Sequence, residues 1–413
     1  DVPGGNTVGL NMEDLSGNDL LQAGDEVSVL IVPYNNTDGD AVGCTEENFT
    51  VVASWVNSPD AFKLTYDTTI TDTDTTPANQ LKIETNTGYP GYFTYNYSID
   101  WGDDQFDNNV TGNITHTYLT PGIYTVSIIG DFPAPYHDYN NTDNIKLLSI
   151  DQWGTQLWQS MENAFYYCEN MEYNATDIPN LSNVTTMANM FSGARLFNGN
   201  INEWDVSNVT DMRYLFIAAR TFNQPLDQWD VSNVENMEGM LFACNEFDQP
   251  IGNWITSSAT NISRMFSEAT VFNQPLNDWD VSQVTDMYQT FSRATAFNQP
   301  LDEWDTNQVT AMNQMFSNAT AFNQPIEIWD VDNVINMSSM FDNAESFNQP
   351  LNNWNVEKVT NMASMFNGAT VFNQALDEWD VGLVTSMASM FNNANAFNQN
   401  IDAWNVTNVI NMS

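Results

Sequence analysis

Positive charge is nearly missing from this chain: nine Lys and Arg stand against 53 Asp and Glu, a formal net charge of −44 over 413 residues. A field of that sign repels nucleic acid and anionic lipid and attracts cations, Ca2+ among them. Histidine is almost as rare. Two are present, His116 and His137, so no Ser-His-Asp or Cys-His nucleophile set can be assembled and no zinc-ligand spacing occurs. Three cysteines, Cys44, Cys168 and Cys244, are too few for a disulfide framework. No run of 18 apolar residues exists, which predicts no membrane insertion. A basic, apolar leader is also missing, and a start at Asp1 fits a mature secreted chain.

Aromatic residues make up 13% of the chain and hydrophobic residues 42%, which excludes bulk disorder. Charged residues total 15%, so Asn, Thr, Ser and Gln must supply most of the polar surface. That mixture suits a protein outside the cell.

What the chain does have is a period. Met187 recurs at Met212, Met237, Met287, Met312, Met337, Met362, Met387 and Met412, with Ile262 filling the one gap. Trp204 recurs every 25 residues through Trp229, Trp254, Trp279, Trp304, Trp329, Trp354, Trp379 and Trp404. Phe197, Phe222, Phe247, Phe272 and their successors to Phe397 keep the same step, as do the aliphatic column from Ile201 and the small column Ala194, Ala219, Cys244, Ala269. One such unit cannot bury these side chains alone, whereas stacked units turn each column into an internal ladder. Cys168 and Cys244 fall in the small column three rungs apart, roughly 14 Å at about 4.8 Å per rung, beyond disulfide reach.

The predicted unit has a short parallel strand around V-T-x-M, one helical turn over x-x-M-F-x-x-A, and an extended return through F-N-Q-P-L-x-x-W-D-V. The Asn after the Phe (Asn198, Asn223, Asn273, Asn298) predicts an internal amide ladder, and the Pro column from Pro225 marks a corner. The fold class expected is mainly β with short helical turns: a right-handed leucine-rich-repeat-like solenoid preceded by β-sandwich modules. The unit Met237–Asn261 departs, with Ile255 for Asp and Ala259 for Val.

Units such as F-N-Q-P-L-D-E-W-D-V, with N-V-T-x-M-x-x-M-F, resemble the BspA-type leucine-rich-repeat surface proteins of bacteria and some protists. The resemblance covers about residues 145–413, with Leu147–Met161 similar to the cap before such arrays. It implies extracellular display, adhesion to host or matrix molecules, and no catalytic residues. Further upstream, Tyr95–Asp103 (YNYSIDWGD), His116-Thr117-Tyr118 and Pro121–Ile128 (PGIYTVSI) resemble a polycystic-kidney-disease (PKD) type β-sandwich, with Asp104 where that family has a second turn Gly. The domain plan is therefore 1–80, a further β-domain with strands near Glu26–Val32 and Phe49–Trp55; 81–131, the PKD-like module; 132–186, connector and cap; and 187–413, the repeats.

Asp38/Asp40, Asp72/Asp74 and Asp100/Asp103/Asp104 each offer closely spaced oxygens, so a structural Ca2+ at Asp100, Asp103 and Asp104 is the one cofactor considered. Asn35, Asn48, Asn96, Asn109, Asn113, Asn140 and Asn174 are candidate N-glycosylation sites. The Trp-Asp pairs recur in nearly every unit, whereas a catalytic carboxylate pair should break the repetition. The expectation is a protein that is not an enzyme.

Two functions follow. One is adhesion or recognition of an extracellular protein or glycan, with the sheet face as platform. The other is a filament or coat subunit assembled head to tail from copies of itself: an array ending within a unit at Asn411-Met412-Ser413 exposes apolar columns, so either the natural chain continues or a neighbouring copy covers the end. An accessory role in polysaccharide degradation is a remote third.

Overall fold

The computed structural model describes residues 58–87, 93–137 and 143–413. The strands expected at Glu26–Val32 and Phe49–Trp55, Cys44 and the Asp38/Asp40 pair lie outside the described residues. What is described is mainly β, with almost no helix.

Among the described residues eight strands form two sheets: β1 (Phe62–Asp67), β2 (Gln80–Ile83), β3 (Asn96–Asp100), β4 (Phe106–Val110), β5 (Ile114–Thr117), β6 (Ile123–Asp131), β7 (Leu147–Gln152) and β8 (Glu172–Tyr173). The larger sheet runs β4-β3-β6-β1-β7-β8, and β2 pairs with β5 in the smaller. Alternation decides which face is buried. In β1, Phe62, Leu64 and Tyr66 point inward while Lys63, Thr65 and Asp67 are half-buried. They share one core with Leu81 and Ile83 of β2, and with Tyr95, Tyr97, Ile99, Val126 and Ile128.

This sheet reaches past 81–131 in both directions. β1 enters between β6 and β7, with Leu64 opposite both Val126 and Ile150. β7, placed by sequence in the connector and cap, is antiparallel to β1 and parallel to β8, where the first coil of the stack begins. A buried ion pair closes this junction. Lys146 Nζ lies 3.1 Å from Asp143 Oδ1 and donates to Thr76 Oγ1 at 2.6 Å and to the Gln80 carbonyl at 2.9 Å. Asp143 in turn accepts the Lys82 N–H at 2.9 Å, so both charges are hydrogen-bonded on every side that burial exposes to cost.

From Met161 onward each unit stacks on the one before it. The expected parallel strand shrinks to one bridging residue per unit, Thr186↔Asp211, Asp211↔Asn236, Asn236↔Asn261, and so on to Ser386↔Asn411. The expected helical turn is absent. In its place stand successive β-turns: Leu215 N–H donates to Met212 O, Ile217 to Tyr214, and Ala219 to Phe216. The alternate N–H groups point along the stack, Tyr214 to Glu238 O, Phe216 to Met240 O and Ala218 to Phe242 O. A helix would spend all these donors within the segment; the turns leave every second one free to join the next unit.

That geometry requires two left-handed residues per unit, four positions apart. They form the columns Asn189, Tyr214, Gly239, Arg264, Gln289 and Gly193, Ala218, Ala243, Glu268, Arg293, with φ between 55° and 73°. An L-residue there costs about 1–2 kcal/mol, offset by the hydrogen bond its neighbour gains with the adjoining unit.

Before the last units the Met, Phe, Ala and aliphatic columns are interior, including Met212, Met287, Phe222 and Phe272. Phenylalanines stack along the axis, Phe272 on Phe297 at 6.1 Å and Phe297 on Phe322 at 6.1 Å. Tryptophan does what phenylalanine could not. From Trp229 onward each indole N–H reaches the carbonyl of the aliphatic residue 28 positions earlier, Trp229 to Ile201 at 3.0 Å and Trp279 to Ile251 at 3.0 Å, satisfying a buried donor. The asparagine column forms a ladder, though half-buried at the surface: Asn298 Oδ1 accepts the Asn323 N–H at 2.9 Å and the Gln324 amide at 3.0 Å. Cys168 and Cys244 are buried and free.

Candidate functional site

Two of the three aspartates considered for Ca2+ are engaged in the fold. Asp100 Oδ1 accepts the Gly102 N–H at 2.9 Å, and Asp103 Oδ2 lies 3.0 Å from His116 Nε2. His116 stacks on Trp101 at 4.7 Å, which locks the turn to β5. Asp104 is exposed at φ 64°, the left-handed conformation a glycine would take, so the turn survives the exchange. Gly102 does need to be glycine, since a Cβ there would meet Thr125 O at 2.5 Å. Among the described residues no group of three or more His, Cys, Asp or Glu gathers to hold a metal ion.

The Trp-Asp carboxylates recur for a structural reason. Asp205, Asp230, Asp280, Asp305, Asp330 and Asp380 each accept the N–H two residues on and so fix a turn. Asp230 and Asp280 are held below the usual carboxylate range, first by the Ser232 and Ser282 hydroxyls and then by their N–H groups. Ile255 lacks this bond and is 62% exposed, yet the unit's backbone turns persist (Trp254 N–H to Ile251 O, Ala259 N–H to Thr256 O).

Of the sequon asparagines, Asn96, Asn109, Asn113 and Asn174 are exposed, whereas Asn35, Asn48 and Asn140 lie outside the described residues. Asn113 Oδ1 is engaged by the Thr85 N–H and hydroxyl, both at 2.8 Å. The column residues Trp204, Trp229 and Trp279 are 2–3% exposed and present nothing to a partner.

A surface cluster that the repeat pattern hid lies on the turn ribbon. All five arginines fall between Arg195 and Arg293. The Tyr214 hydroxyl donates to Glu238 Oε1, and Arg264 Nη1 donates to the same oxygen at 2.9 Å. The Arg264 guanidinium lies 4.7 Å over the Tyr288 ring, and its Nε reaches Gln289 Oε1 at 3.2 Å. Burial, then the Glu238 carboxylate, pushes Tyr214 up to about 12, so it remains a donor at any physiological pH. Room for its ring comes from Gly239, where a Cβ would sit 2.5 Å from Tyr214 Cδ1. Four consecutive units are thereby joined by half-buried Tyr, Glu, Arg and Gln side chains. Later units carry Ser338, Ser339, Ala363, Ser364, Ala388 and Ser389 at these positions. The signal in the sequence was where the few cations fall, read against the columns.

No helix among the described residues is long and apolar enough to cross a membrane. No curated protein and no solved structure matches the chain. One family model does, over residues 159–277, 241–349 and 323–413, together more than half of the chain. The chain therefore belongs to the family described as "Mycoplasma protein of unknown function, DUF285".

Proposed function

We propose that this is a non-catalytic extracellular recognition protein, in which a right-handed, leucine-rich-repeat-like solenoid of the BspA type follows a PKD-like β-sandwich and binds a protein partner through the turn ribbon around Arg264. The observation that carries the reading is the Tyr214–Glu238–Arg264–Tyr288 network. It departs from the repeat on one face, over consecutive units, while the core columns beneath it stay regular. Tyr and Arg held half-buried and pre-ordered are the chemistry of interface hot spots, since little rotamer freedom remains to be lost on binding. The ribbon replaces the sheet face as platform because one bridging residue per unit leaves scarcely any sheet.

An absence of catalysis is supported by the occupation of the recurring carboxylates in turns. Display outside the cell is supported by composition and by the repeat resemblance.

The test is binding of the full chain to a panel of immobilised extracellular-matrix proteins and to intact cells. Arg264→Ala together with Tyr288→Ala should weaken binding to whichever surface captures the parent by at least about tenfold, roughly 1.4 kcal/mol, with the unfolding midpoint little changed. Equal binding by parent and variant would remove the ribbon from the account.

A further inference from the structure

The first unit carries a second departure from the repeat, at its junction with the cap. There a cleft of about 340 Å3 opens between the segment after β8 and the first repeat, lined by Tyr173, Asp177, Ile178, Asn200, Glu203 and Trp204. One substitution in the repeat shapes it. Where every later unit has Gln, as at Gln224 and Gln249, this one has Gly199. A Cβ on Gly199 would fall 2.5 Å from Tyr173 Cβ and Cγ, so the glycine is what admits the tyrosine.

Tyr173 changes the bonding of the Trp ladder at this end. In the following units the indole N–H goes to a carbonyl 28 residues earlier. Here the Tyr173 hydroxyl accepts from Trp153 Nε1 at 3.0 Å, and its ring lies 6.3 Å from that of Trp204. A phenolic oxygen has two acceptor positions and one proton. With its oxygen accepting from Trp153, the hydroxyl has its proton left to donate. Asp177 is rigid, because its oxygens hold the N–H groups of Trp153 (3.0 Å) and Gly154 (2.8 Å), and Oδ1 keeps acceptor capacity. Glu203 is exposed at the rim, and Ile178, 49% exposed, supplies an apolar wall.

We propose that this cleft binds a neutral polyhydroxylated ligand of monosaccharide size, with Tyr173 donating to a ligand oxygen and Asp177, Glu203 and Asn200 accepting ligand hydroxyls. Its volume lies at the small end of ligand sites. The two carboxylates, with no cation in the lining, repel anions. A sugar answers one fixed donor, several acceptors and an apolar wall together. The site is independent of the Arg264 network, so either can fail alone.

Saturation-transfer NMR on the full chain, with the methyl glycosides of glucose, galactose, mannose and N-acetylglucosamine at millimolar concentration, tests the assignment. Transfer to at least one is expected. Glu203→Gln, which installs the residue found at Gln228 in the next unit, should weaken it about tenfold without moving the unfolding midpoint. Tyr173→Phe should abolish it; if that variant does not fold, Glu203→Gln decides alone. No transfer from any of the four sugars, or binding unmoved by Glu203→Gln, overturns the proposal.

Discussion

Single side chains in this molecule are chosen for one hydrogen bond as much as for volume. Trp304 is 3% exposed, and its Nε1 donates to the Leu276 carbonyl at 2.9 Å. Trp304→Phe should therefore cost about 3 kcal/mol, part from the cavity and part from the lost buried hydrogen bond, read as a lowered urea midpoint. His137 sets a pH dependence. It is buried, its Nδ1 lies 2.5 Å from Ala164 O, and burial lowers its pKa below the ordinary 6.5. Between the lowered folded value and 6.5 the unfolded chain binds the proton and the folded one does not. Stability from this group is thus complete above pH 6.5 and is lost as pH falls through it. Urea midpoints at pH 7.5 and 5.5 should differ less in His137→Gln than in the parent. An equal difference would place the titration elsewhere.

At the scale of the element, each 25-residue unit is a chain of turns tied to its neighbours by ladders. The asparagine ladder needs an acceptor and nothing more, since Asp248 fills one rung and still accepts the Asn273 N–H at 2.9 Å. Asn298→Asp should accordingly change stability by no more than about 0.5 kcal/mol. Asn298→Leu, which removes the acceptor for Asn323 and Gln324, should cost about 1–2 kcal/mol, again by urea titration. The ladders were legible in sequence because they depend on side-chain chemistry repeated at one period, as at Trp204, Phe222 and Met212. The turn ribbon was not legible. Its left-handed column holds Asn189, Tyr214, Gly239, Arg264, Gln289 and Ser339, residues with no shared preference, because the stack rather than the residue fixes φ. The double role of β7 was hidden for a related reason: Leu64 pairs with Ile150 across a long separation that no local pattern encodes. Of the candidate site, the carboxylates were visible but their turn bonds were not, and the Arg264 network was masked by attention to what repeats.

At the scale of the whole molecule, β7 carries the order of the β-sheet module into the stack, so one hydrophobic core runs from Phe62 to Met390. Nearest-neighbour contact is the organising relation: a unit touches the one before and the one after. That relation is tested most directly by paired cysteines on the ribbon's edge, in a background where Cys44 is serine. Thr310 N–H donates to Thr285 O at 3.0 Å, which puts these residues on adjacent rungs about 4.8 Å apart, within disulfide reach. Thr285→Cys with Thr310→Cys should cross-link rapidly within one chain on mild oxidation, while Thr285→Cys with Ile335→Cys, two rungs apart, should not. Equal cross-linking of the two pairs, or none in the first, would contradict the stacked arrangement on which the account stands.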